Sequence, residues 1–97
     1  MSDQLDFGFK VYAVLDSKGG FFGLPWVERG HSLAIRGFSD AVKDSSNPNN
    51  LWNKHPEDYT LYCIGEYDQV LGKLSPLDKP SAVVTASACV AVSPPDA

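Results

Sequence analysis

Two stretches of this chain follow a two-residue rule, and the segment between them follows another. Phe7, Phe9, Val11, Ala13 and Leu15 alternate with Gly8, Lys10, Tyr12 and Val14, while Tyr59, Leu61, Cys63, Gly65 and Tyr67 alternate with Thr60, Tyr62, Ile64 and Glu66. Successive side chains of a strand point to opposite faces, so each stretch reads as a β-strand. The second has β-formers on both faces, which suits a strand covered on both sides by the protein or a partner. Between them, Leu33, Ala34, Phe38, Ala41 and Val42 fall on one side of a 3.6-residue wheel and predict an amphipathic helix over 32–43. Ser32 is the candidate cap, and Gly37 either permits close packing or leaves the helix marginal.

Turn chemistry joins these units. Asp16-Ser17-Lys18-Gly19-Gly20 supplies two glycines free to take positive φ, followed by the apolar run 21–27, so the chain opens with a hairpin. Pro25 lacks a backbone donor, which puts the returning strand at a sheet edge or ends its pairing. Residues 44–50 form a breaker-rich loop, 68–72 a turn, and 73–77 a short edge strand interrupted by Pro76. The segment 81–92 carries no charge and is rich in Ala, Val, Ser and Thr; it reads as an extra strand or an oligomerisation arm, stopped by Pro94-Pro95. The expected order β-β-α-β-β, with an apolar C-terminal arm, is that of a small α+β two-layer domain, an antiparallel sheet with one helix on it. At 97 residues, 1–97 reads as a single domain with flexible ends at 1–6 and 93–97.

Cys63 and Cys89 stand 26 positions apart without companion ligands, so they read as reduced, buried residues and not as a disulfide framework or zinc site. No apolar run reaches the roughly 20 residues of a membrane span, and the N-terminal stretch with Asp3 and Asp6 does not read as a secretory signal. These features place the protein in a cytoplasm, away from membranes.

Enzymatic chemistry has little to stand on. His31 sits just ahead of the helix as a surface or capping residue, and His55-Pro56-Glu57-Asp58 lacks the recurrent spacing of a metal motif and reads as a rigid turn. There is no phosphate-binding loop, dinucleotide fingerprint or nucleophile elbow. The expectation is a non-enzymatic protein with no catalytic residues, no metal and no cofactor.

Charge is more informative by position than in total. The formal net charge is −4, which opposes gripping a duplex mainly by its phosphates. Yet residues 10–54 hold six cations, Lys10, Lys18, Arg29, Arg36, Lys43 and Lys54, against four anions, and the deficit comes from 55–97 and the N-terminus. Tyr12, Phe21, Phe22, Trp26 and Trp52 lie in the same stretch, and cations interleaved with aromatic rings are what a single strand needs for phosphate contact and base stacking. Phe21, Phe22 and Phe38 are assigned to the core; Tyr12, Trp26 and Trp52 are divided between core and surface.

Residues 10–18, Pro25, residues 34–42, His55-Pro56-Glu57-Asp58-Tyr59-Thr60-Leu61-Tyr62, Gly65-Glu66-Tyr67-Asp68 and Gly72-Lys73 together resemble the small nonstructural proteins of gokushoviruses, single-stranded DNA bacteriophages of the microvirus group (Microviridae). The resemblance implies a role in viral DNA replication and single-stranded genome synthesis in the host bacterial cytoplasm. On that reading Lys10, Lys18, Arg29, Arg36, Lys43 and Lys54 meet phosphates, while Tyr12, Trp26 and Trp52 stack on bases. The alternative is a protein-interaction adaptor that contacts the viral replication initiator, a host helicase or other replication protein, or a capsid precursor, without touching DNA; a minor virion component is a third reading. Edge strands and the uncharged tail further predict a homo-oligomer, most simply a dimer.

Overall fold

A computed structural model describes residues 8–91. The flexible ends expected at 1–6 and 93–97 lie outside the described residues. In chain order the elements are β1 (Gly8–Asp16), β2 (Phe21–Phe22), β3 (Trp26–Glu28), α1 (His31–Lys43), α2 (Leu51–Lys54), β4 (Tyr59–Asp68), β5 (Lys73–Thr85) and α3 (Ala86–Ala91), with a 3-10 turn at Pro56–Asp58. The strands form one antiparallel sheet in the order β2-β1-β4-β5, with β3 also on β1. The result is the expected α+β class, a small curled antiparallel sheet with helices packed on it.

Alternation along β1 and β4 builds the core. Tyr12 and Val14 on β1, and Tyr59, Leu61 and Cys63 on β4, are buried against Ala34, Phe38 and Val42 of α1 and against Ala86 and Cys89 of α3. The α1 residues stand four apart and form one stripe. Trp52 of α2 closes the stripe's far end, its ring centroid 5.1 Å from that of Phe38. Asn50 caps α2 and also donates to the Ala41 and Asp44 carbonyls, while Asn53 donates to Val42, so the polar loop ties off the end of α1. Ser32 is not the α1 cap; Gly30 holds that position with no side-chain bond.

β2 and β3 are one returning strand in two pieces. Gly23 still donates to the Val14 carbonyl, but Pro25 lies in the interruption and has no donor to give.

The C-terminal third departs most from expectation. Lys73–Thr85 is one strand of 13 residues, not a short edge strand and a separate arm, and Ala86–Ala91 is a helix. β5 tolerates Pro76 and Pro80 because it is the last strand of the sheet, where an absent donor on the outer side breaks no ladder bond. It also bulges. Between the pairs Gly65↔Pro76 and Cys63↔Ser81 it carries four residues against one on β4. Thr85 then starts α3, its hydroxyl accepting from the Ala88 amide at 3.1 Å.

Candidate nucleic-acid interface

The nine residues expected to bind a strand are spread over six parts of the molecule. Lys10 of β1 donates to Glu66 of β4 at 3.0 Å. Lys18 is exposed in the β1–β2 turn, Arg36 and Lys43 on α1, and Lys54 on α2. Arg29, between β3 and α1, holds its guanidinium 5.0 Å from the centre of the Phe9 ring. Trp26 and Trp52 are half-buried and pack on the core.

Tyr12 is fully buried, so the expectation that it stacks on a base is corrected. Its place on the helix-facing side of β1 sends it into the core, where its hydroxyl lies 2.7 Å from Nδ1 of His31. Burial, with Cys63 and Glu28 nearby, pushes its pKa from 10 up to about 12. Burial likewise raises that of Tyr59, helped by the charges of Asp16 and Asp58.

A different aromatic group assembles on the opposite sheet face. Phe9 and Ala13 lie on the side of β1 away from Tyr12, and directly paired residues share a face, so Tyr67 and Tyr62 of β4 and Leu74 of β5 join them. Phe22, opposite Leu15, reaches the same face from β2 and meets Tyr62 edge-on at 5.4 Å between centroids. That contact passes over β1 and explains why Ala13 is only 1% exposed although it lies outside the core cluster. Phe22 itself is 39% exposed and Leu74 66%. Four rings therefore stand in two pairs, Phe9 with Tyr67 and Phe22 with Tyr62, about 13 Å apart along β1. No described helix packs on this face; α1, α2 and α3 all contribute to the core on the other side.

Phe9 and Tyr62 were readable from alternation alone. Tyr67 was not, because strict alternation puts it on the core side with Tyr59 and Leu61. One extra residue in β4, Ile64, shifts the β1–β4 register between Val11 and Tyr12, and Tyr67 emerges opposite Phe9.

Near the β4–β5 turn, a cleft of about 650 Å³ is lined by residues that include Lys10, Glu66, Asp68, Lys73 and Ser75, which by register share the Tyr12 side of the sheet, with Phe9 and Tyr67 between them in sequence. At the other end of the strands, ligand-type atoms of His55, Glu57 and Asp58 gather within 4.8 Å of one another around the 3-10 turn. His55 and Glu57 are exposed, and their closest atoms are 3.9 Å apart.

The fold is a two-layer α+β domain whose sheet carries aromatic rings on the face that the described helices leave uncovered. Residues 9–89 match the family model described as Phage ORF5 protein, and the chain belongs to that family of phage proteins. No curated protein and no solved structure matches it. Among the described residues no helix is long and apolar enough to cross a membrane.

Proposed function

We propose that this phage protein binds single-stranded DNA on the sheet face that no described helix covers and acts through that contact in viral replication and single-stranded genome synthesis, without catalysing a reaction. One observation carries the reading: four rings, Phe9, Phe22, Tyr62 and Tyr67, on one open face with the Arg29 guanidinium beside Phe9. Every base has a face to stack, and a sheet that presents rings at strand spacing can hold unpaired bases without reading their sequence. A duplex keeps its bases stacked inside and gains little from such a surface.

Fluorescence anisotropy with a labelled oligothymidine tests this, and no binding at about 50 mM salt would overturn it, since phosphate contacts are strongest there. Phe9→Ala and Phe22→Ala should each weaken binding by about fivefold or more, the size expected for one lost stacking contact. The net charge of −4 and exposed aliphatics such as Val27 and Leu74 favour a second reading, an adaptor that lays the same face on a replication or capsid protein. Partners that remain attached after nuclease treatment would support the adaptor.

A further inference from the structure

We propose that the cleft at the β4–β5 turn is the contact between two copies of this chain, paired about a two-fold axis with the turn of each set into the cleft of the other. The sheet edges are poor ground for pairing. β5, outermost on one side, carries Pro76 and Pro80, and β2 and β3 on the other side are two and three residues long with Pro25 between them. The cleft is more open: none of the residues that line it belongs to a helix, so the helical layer that covers Tyr12 and Val14 leaves this end of the strands uncovered by any described helix.

The turn beside it has an apolar tip. Asp68 accepts from the amides of Val70 at 2.9 Å and Leu71 at 3.1 Å, and Gly72 takes a φ of +64°, which fixes two aliphatic side chains where polar residues are the rule. They are 66% and 71% exposed and form one wall of the cleft. Because tip and cleft adjoin, a two-fold rotation that seats one tip in the second copy's cleft seats the other in return. Charge favours a copy of the same chain over an acidic or a basic partner. A surface that meets itself must be its own complement, and this one carries Lys10 and Lys73 against Glu66 and Asp68. Asp68 is held by the turn amides, whereas Glu66 accepts from Lys10 and still leaves 55% of its side chain exposed. Lys73, exposed and in no ion pair among the described residues, therefore meets Glu66 of the second copy. Ten residues line the cleft, against the roughly 20 to 30 a side of a standard interface, so the pairing is weak and concentration-dependent. The ring-bearing face, on the other side of the strands, stays open in both copies.

Sedimentation equilibrium of the full chain up to about 100 μM should show the mass rising from one chain toward two. Leu71→Asp should raise the dissociation constant about tenfold or more, as for a lost central side chain in a small interface. Lys73→Glu and Glu66→Lys should each be monomeric alone, since like charges then meet across the axis. An equimolar mixture of the two should recover the dimer, because both pairs across the axis are again opposite in sign. A misfolded chain would not show that recovery. Leu24→Asp, at an exposed leucine between β2 and β3, should leave the pairing unchanged. A single-chain mass throughout would overturn the proposal, and so would a dimer indifferent to Leu71→Asp and Lys73→Glu. Oligothymidine that returns the dimer to single chains, and loses its hold on Lys73→Glu, would assign the cleft to nucleic acid instead.

Discussion

Among the described glycines, Gly65 alone has backbone atoms of a neighbouring strand so close that a side chain would clash with them. A Cβ built there would lie 2.7 Å from the Ser75 carbonyl oxygen and 3.4 Å from the Pro76 Cα, both backbone atoms that cannot swing away. Gly65→Ala should therefore cost about 1–3 kcal/mol, read as a lower urea midpoint with little change in slope. Tyr12 makes the other prediction at this scale. Its hydroxyl titrates near 10 in an unfolded chain and at about 12 when folded. Below pH 10 both states are protonated and the buried ring contributes fully. Between pH 10 and 12 the folded chain holds a proton that the unfolded chain has released, so stability falls as pH rises, by on the order of 2 kcal/mol. Tyr59 is raised too and acts in the same direction. Urea midpoints from pH 8 to 12 should show this alkaline loss, and Tyr12→Phe should reduce it.

At the scale of elements, α1 carries an avoidable weakness. Gly37 is exposed, and an added Cβ would meet nothing within 4 Å, so the glycine serves no close packing. Gly37→Ala should raise stability by about 0.5–1 kcal/mol in the same denaturation assay, from helix propensity alone. β1, α1, β4 and the hairpin turn were legible because each has an unbroken period or a strong turn signal, and those signals carry the fold class. β5 was not. Pro76 and Pro80 read as breaks, and only the finished topology, with this strand outermost, makes them harmless. α3 was hidden for another reason: Ala-Ser-Ala-Cys-Val-Ala has no polar face to set a helical period, and the informative residue is Thr85, whose hydroxyl caps the turn. The aromatic face was half legible, because alternation places Phe9 and Tyr62 but a bulge at Ile64, invisible as a pattern, places Tyr67.

For the whole molecule, the distribution of cations against rings sets how binding should respond to salt. The chain is acidic overall, and few cations stand near the rings: Arg29 lies over Phe9, while Lys10 and Lys73 line the cleft on the other side of the strands. Lys10 is also engaged with Glu66, so one or two phosphate contacts are the most this surface offers. Single-strand binding loses about 0.7 of a logarithmic unit per neutralised phosphate for each tenfold rise in salt, which predicts a slope of about −0.7 to −1.4. A strand held mainly by phosphates would be far steeper. Arg36, Lys43 and Lys54 sit on helices that pack on the opposite side of the sheet, so replacing all three by Glu should leave that slope unchanged. Anisotropy titrations from about 50 to 300 mM salt measure both quantities. A steep slope, or one that collapses in the triple variant, would move the strand from the open sheet face to the helical layer.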